Sequence, residues 1–166
     1  MKLTKLLNKL NFILFFVRSK SNTKIIHKSA SIEVIRSLNK NSRLFNKLDY
    51  TKLKRFNKKN SLIILKDKNT FIGSGWVYFG KKNWKITEIN KTISLQNYYL
   101  LYDFNIVNKY RNVGYYSDFL RLIKNYFSRN NLCIYTTLNN YYSLKGIKSS
   151  GFSLHKIISK FFVLKL

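Results

Sequence analysis

Residues 98–116 read YYLLYDFNIVNKYRNVGYY. From Tyr98 to Val107 the stretch is dominated by aromatic, leucine and β-branched residues, the composition of a strand. Asn108-Lys109-Tyr110-Arg111 is a polar break, after which the apolar positions change period: Val113, Tyr116, Leu120, Ile123 and Phe127 share one face of a helix predicted over 113–127. A strand that runs into a helix through Arg111-Asn112-Val113-Gly114 places unpaired backbone N–H groups and the positive end of a helix dipole where an anion can be received. Gly114 lets the backbone come close to that anion and Arg111 adds a fixed charge, so the junction reads as a phosphate site.

Working outward, Leu132 to Leu138 is a second strand and Tyr141 to Ser149 a short helix, with Gly151 where a left-handed cap residue is wanted. Phe152 to Leu166 has the length and pattern of a closing hairpin. Upstream, Ser61 to Leu65, Phe71 to Phe79 and Trp84 to Leu95 read as strands broken at Asp67-Lys68-Asn69 and Gly80-Lys81-Lys82-Asn83, which predicts hairpins of an antiparallel sheet. Ile32 to Leu38 and Asp49 to Phe56 read as short helices. The order is that of one mixed α/β (α+β) domain over residues 19–166.

Residues 1–18 read as a separate basic amphipathic helix, with Leu3, Leu6, Leu7, Leu10, Leu14 and Val17 on one side and Lys2, Lys5 and Lys9 on the other. The apolar run Leu10 to Val17 is too short to span a bilayer, and Arg18 and Lys20 interrupt any export cleavage region. The helix is expected to pack on the domain or to lie on an anionic membrane surface, which places the protein in the cytoplasm or at the inner face of the membrane.

Composition bounds the chemistry. With 32 Lys and Arg against 6 Asp and Glu the net charge is +26, which suits phosphate-bearing partners, although the Lys-, Asn- and Ile-rich, proline-free composition is also what AT-rich codons produce. One cysteine, Cys133, excludes an internal disulfide, and His27 and His155 have no ligand spacing, so no metal is expected.

The stretch Asp103-Phe104-Asn105-Ile106-Val107-Asn108-Lys109-Tyr110-Arg111-Asn112-Val113-Gly114-Tyr115-Tyr116 resembles the coenzyme A motif of the GNAT family of N-acetyltransferases, commonly V-x-P-x-Y-R-G-K-G-x-G/A. Asn140-Tyr141-Tyr142-Ser143-Leu144-Lys145-Gly146-Ile147-Lys148-Ser149-Ser150-Gly151-Phe152 resembles the N-x-x-S-x-x-G-I-x-K-A-G-F segment that follows one strand later in a subgroup of that family. The resemblance implies a mostly antiparallel central sheet, split at two parallel strands and flanked by helices. It implies acetyl-coenzyme A as donor, held by Ile106, Arg111, Asn112, Val113, Gly114, Tyr115, Tyr116, Asn140 and Ser143. Asn112 replaces a usual glycine and Tyr116 a usual small residue.

Acyl transfer of this kind is direct attack of an amine on a thioester, which needs a base, an oxyanion donor and sometimes an acid. Asp103, in a D-x-x-V place, is the first candidate base and Glu88 the alternative; the commonest family glutamate corresponds to Leu100. The usual tyrosine acid corresponds to Ile147, leaving Tyr141, Tyr142, Ser143 or water. The subgroup points to a small amine acceptor such as an amino sugar. Two other readings stand beside this one: a basic nucleic-acid- or ribosome-associated protein, and a GNAT fold that binds without reacting.

Overall fold

The computed structural model describes residues 12–19, 24–37, 54–56, 59–80 and 82–166. Its centre is the pair formed by β7 (Tyr98–Ile106) and β8 (Asn131–Thr137), which run parallel with Tyr98 opposite Asn131 and Leu101 opposite Ile134. Pairing stops there, yet β7 continues to Ile106 and β8 to Thr137, so the two strands part. Helix α1 (Tyr115–Tyr126) connects them, and α2 (Tyr141–Ser149) follows β8.

The pair lies inside one eight-stranded sheet. On the β7 side come β4 (Thr70–Tyr78), β3 (Asn60–Asp67) and the edge strand β2 (Ala30–Ile35), all antiparallel to their neighbours. On the β8 side come β1 (Ile13–Arg18), β9 (Phe152–Ile158) and the other edge strand, β10 (Val163–Lys165), again antiparallel. The mixed sheet split at its single parallel pair, with helices flanking it, is the architecture the motif resemblance implied.

Four expectations change. Residues 13–18, expected in an amphipathic helix, form β1, a central strand, so no domain boundary falls at residue 18. Ile13, Leu14, Phe15 and Phe16 are all buried, Leu14 and Phe16 against the helices and Ile13 and Phe15 against the other face. A strand covered on both faces is a continuous apolar run, and period alone cannot separate it from a helix. The part of the expected helix that precedes Phe12 lies outside the described residues. Ile32, also expected in a helix, belongs to β2, where Ala30, Ile32 and Val34 face inward between exposed Ser31 and Glu33 at period two. The helix expected at 49–56 falls mostly outside the described residues, and Lys54 and Arg55 form a turn. Finally, 84–95 is not one strand paired to β4. It folds into its own two-stranded sheet, β5 (Asn83–Ile86) and β6 (Lys91–Ser94), joined by a 3-10 turn at Thr87–Ile89 and a left-handed Asn90, while β4 pairs with β7. Ile86, Ile89 and Leu95 anchor this excursion over Leu100 and Cys133.

α1 begins at Tyr115, and Val113 precedes it as an exposed residue. Phe119, Leu120 and Ile123 bury its inner face. Its polar residues tie the neighbouring elements. Arg121 Nη2 donates to Ser149 O (2.7 Å), and Lys124 Nζ donates to Ser150 O (3.1 Å) and Gly151 O (2.9 Å), so cations meet the carbonyl end of α2. Gly151 takes φ 78°, the left-handed cap that its position predicted.

Asp118, fully buried in the first turn of α1, fixes the segment before β2. Its carboxylate accepts from the N–H groups of Ile26 (3.1 Å) and His27 (2.8 Å), from His27 Nδ1 (2.7 Å) and from Arg121 Nη1 (2.7 Å). Burial pushes this carboxyl up, but the hydrogen bonds from His27, Ile26 and Arg121 outweigh it and hold the group below the ordinary aspartate value. The His27 ring stacks on Tyr115 (3.8 Å, 16°), whose hydroxyl donates to Asp67.

Two predictions follow from this packing. Phe16→Ala is expected to cost about 3–5 kcal/mol in denaturant unfolding, because it empties a fully buried site between the sheet and the helices; a loss typical of a surface position would show that β1 is not integral. Asp118, with its folded pKa depressed, contributes stability that is present above the unfolded carboxylate value and lost as pH falls through the folded one. The melting temperature is therefore expected to drop below about pH 4. Asp118→Ala should remove about 3–5 kcal/mol at neutral pH and flatten that acid limb.

Candidate active site

The gap between β7 and β8 opens into a cleft of about 1780 Å3 whose walls are the ends of both strands, the start of α1 and the first turns of α2. Local backbone shapes its mouth. Asn108–Tyr110 form a 3-10 turn closed by Arg111 N–H on Asn108 O (3.2 Å), and then Asn112 (φ 64°) and Gly114 (φ 99°) both turn left-handed. The amides of Asn112 and of Gly114 to Ser117 meet no hydrogen-bond partner among the described residues, and no side chain caps the helix. A turn of this kind forms a concave nest of N–H groups, and here it coincides with the positive end of α1. The Arg111 guanidinium bonds back to the strand end, Nε to Ile106 O (2.8 Å) and Nη2 to Asn105 Oδ1 (3.0 Å). That holds the loop against β7 and leaves charge and further donors at the mouth.

The residues expected to hold the donor are mostly brought together. Ile106, Arg111, Asn112, Val113, Gly114, Tyr116, Asn140 and Ser143 all line the cleft. Tyr115 does not: its side chain leaves the cleft for Asp67, a bond that, with burial, pushes the phenol up to about 12. Tyr116 fills the space between the two helices. A Cβ at Gly146 would stand 2.3 Å from its Cδ1, so glycine at 146 is what admits the ring. Its hydroxyl and Ser143 Oγ are 3.2 Å apart, while Asn140 Oδ1 caps α2 by accepting Ser143 N–H (3.1 Å). Asn140, Ser143 and Tyr116 thus form a polar joint between the helix starts, with Tyr116 pushed to about 12, chiefly by burial. Tyr141 and Tyr142 project from the same turn as exposed rings on the cleft wall.

The proton-handling candidates gather at the other end. Opposite Gly75, β7 carries an extra residue: Ser74 pairs with Asn105 and Trp76 with Tyr102, leaving Asp103 and Phe104 across from one glycine. Asp103 is left-handed there (φ 50°), and the Phe104 ring lies where a Gly75 Cβ would be. The bulge carries Asp103 onto the cleft wall, where its carboxylate pairs with Arg55. Glu88, on the 3-10 turn of the β5–β6 excursion, lines the same wall and accepts from Thr87 Oγ1 (3.2 Å). Leu100 and Ile147, at the usual glutamate and tyrosine places, are fully buried.

Four residues here were not singled out from sequence: Arg55, Trp84, Tyr102 and Tyr135. Tyr102 and Tyr135 are the first residues beyond the last parallel pair, so they flank the apex of the split. Tyr102 is pushed up to about 12 by burial, and its hydroxyl is committed to Asn60 Oδ1 (2.9 Å). Tyr135 is raised by burial as well, drawn back in part by the Trp84 indole N–H and raised by the charges of Glu88 and Asp103. That indole nitrogen is close enough to act on the phenol yet meets no acceptor in full hydrogen-bond geometry. The alternation of β8, with Cys133 and Tyr135 on one face, was the available signal for Tyr135. Among the described residues no group of acidic, histidine and cysteine side chains could hold a metal.

No family model and no curated protein matches the chain by sequence. Solved structures do match by shape. A GNAT-family acetyltransferase from Colwellia psychrerythraea superposes with a TM-score of 0.59 at 12% identity over 93% of this chain and 58% of its own. A chain assigned to the GNAT family from Novosphingobium aromaticivorans gives 0.53 at 8% identity over 90% and 62%, and a conserved protein of unknown function from Staphylococcus epidermidis gives 0.53 at 8% over 93% and 63%. The chain therefore spans about three-fifths of the length of the structures it matches. At these identities the likeness concerns architecture, and the architecture is the GNAT fold.

Proposed function

We propose that the chain is an acyl-coenzyme A-dependent N-acyltransferase, with acetyl-coenzyme A as donor and a small amine as acceptor. The observation that carries this reading is the coincidence of two unsatisfied backbone surfaces, the amides of Asn112 and of Gly114 to Ser117 and the free edge of β7 beyond Leu101, in one cleft. The loop amides are open to solvent, and a nest and an open strand edge facing each other suit a ligand with a diphosphate and an amide-bearing arm.

The donor supplies an activated thioester. The nest holds the diphosphate, with Arg111 reinforcing the charge, and β7 from Ile106 back to Tyr102 offers about 13 Å of strand edge for the arm, which brings the thioester to the apex. Asp103 accepts the proton that the attacking amine loses. Tyr135, kept protonated by burial and with no acceptor bound among the described residues, donates its proton to the departing thiolate, replacing the acid that Ile147 cannot provide. Arg55 orients Asp103 from the cleft rim. The rings of Trp84 and Tyr102 (centroids 4.8 Å apart) beside Glu88 and Asp103 suit a polar ring bearing an amine, such as an amino sugar. A second reading, binding without turnover, draws on Leu100 and Ile147 being core residues.

Acetyl-coenzyme A at about 100 times its Kd should raise stability by about 2.7 kcal/mol, seen as a higher melting temperature; no shift at millimolar donor would end the proposal. Asp103→Asn and Tyr135→Phe are each expected to lower kcat by about 10²–10⁴ while leaving donor-induced stabilisation intact. If wild type is stabilised by donor yet releases no thiol with any of a panel of amino-sugar nucleotides, polyamines and peptides, the binding-only reading holds instead.

A further inference from the structure

The last six residues expose apolar surface more densely than any other described stretch. Phe161, Phe162, Val163, Leu164 and Leu166 are 45–74% exposed. This is an ordered feature. Ser159 is buried; its N–H donates to Phe162 O (2.9 Å) and its Oγ accepts from the amides of Phe161 (3.2 Å) and Phe162 (3.1 Å). Lys91 Nζ donates to Ser159 O (3.2 Å) from β6, and β10 pairs with β9 from Val163 opposite Ile158 to Lys165 opposite Lys156. The turn therefore satisfies its own amides while both faces of β10 and the Phe161 ring stay exposed, and Phe162, 6.1 Å from the Phe12 ring, stays half-exposed.

The charge around this tip has one sign. No Asp or Glu occurs after Asp118, and Lys160 and Lys165 sit directly in the hairpin. An exposed apolar cluster of this size marks an interaction surface. A second copy is an unfavourable occupant, because the edge strand is three residues long, contains Lys165, and would approach another chain of net charge +26. Nucleic acid would satisfy the lysines and stack bases on the phenylalanine rings, but it leaves Val163, Leu164 and Leu166 in water. A surface that is anionic outside and apolar just beneath satisfies both sets.

We propose that the β9–β10 hairpin docks the protein on an anionic lipid bilayer, Phe161 and Phe162 entering the boundary between headgroups and acyl chains while Lys160 and Lys165 meet lipid phosphates. The backbone bonds of the turn permit this, since the inserted tip brings few unpaired amides into the apolar layer. The hairpin stands three strand spacings from β8, about 14 Å, so the cleft stays open beside the membrane.

The test is co-sedimentation of the full chain with phosphatidylcholine vesicles containing about 30% phosphatidylglycerol, against phosphatidylcholine alone. Wild type should bind the anionic vesicles and retain part of that binding in 0.5 M salt, an amount of about one order above the level that screening leaves to surface charge. The double variant Phe161→Ser and Phe162→Ser keeps the net charge and should lose roughly tenfold or more in partitioning. Its melting temperature, by circular dichroism, should be unchanged because neither ring is in the core. Unchanged partitioning of the serine variant would mean that diffuse charge alone attaches the protein, and the proposal fails. It fails equally if light scattering shows a dimer that the serine variant dissolves and vesicles capture neither protein.

Discussion

The structure depends on the parting of β7 and β8 after Leu101 and Ile134. Three features meet at the split. On the β4 side, the extra residue opposite Gly75 bends β7 away from the line its first half sets, as bulges do. On the face covered by the β5–β6 excursion, Tyr102 and Tyr135 emerge at the first unpaired position of each strand. The opposite face is wedged by α1 and α2, joined to one another by Tyr116 and Ser143 at one end and by Arg121 and Lys124 at the other. A parallel pair in mid-sheet that stops pairing leaves backbone donors and acceptors without partners, a state a folded chain tolerates where a ligand or solvent completes it.

Electrostatically the mouth of the cleft contains an apparent contradiction. A nest for an anion lies within one helical turn of Asp118, a fully buried carboxylate. Its charge is compensated locally, because Arg121, two backbone amides and the His27 ring all bond the same carboxylate. The acid acts as a structural anchor: it draws Ile26 and His27 down onto the first turn of α1, which stacks His27 on Tyr115 and turns that ring out of the cleft.

How much of this was legible in the sequence depends on the kind of signal. The strand–loop–helix of 98–127 and the helix with its Gly151 cap were legible because period and cap chemistry are local properties. β1 was misread because Ile13 to Phe16 is buried on both faces, and a fully buried strand loses the alternation by which strands are recognised. The β5–β6 excursion was read as one strand because Asn90, whose left-handed turn breaks it, is a weaker marker than glycine. Along the cleft, the motif singled out loop residues that the fold places on its wall, whereas Tyr135 and Arg55 become neighbours of Asp103 only through strand order and the turn at 54–55. Pairing across a sheet is a non-local property, and a single sequence does not state it.

The departures from the family pattern are linked by volume. A tyrosine at 116 occupies the gap between the helices, which requires glycine at 146 and engages Ser143. The start of α2 is thereby spent on packing, and the next turn buries Ile147 rather than presenting a phenol. Leu100 likewise lies beneath the β5–β6 excursion, with no path to the cleft. On the strands, Asp103 at the bulge and Tyr135 at the apex stand near enough for the charge of one to act on the other. Under the proposed function, acid–base chemistry falls to the sheet wall, on the side of the Trp84 and Tyr102 rings, and the helix wall is left for the donor. The line where the sheet splits then separates the two tasks.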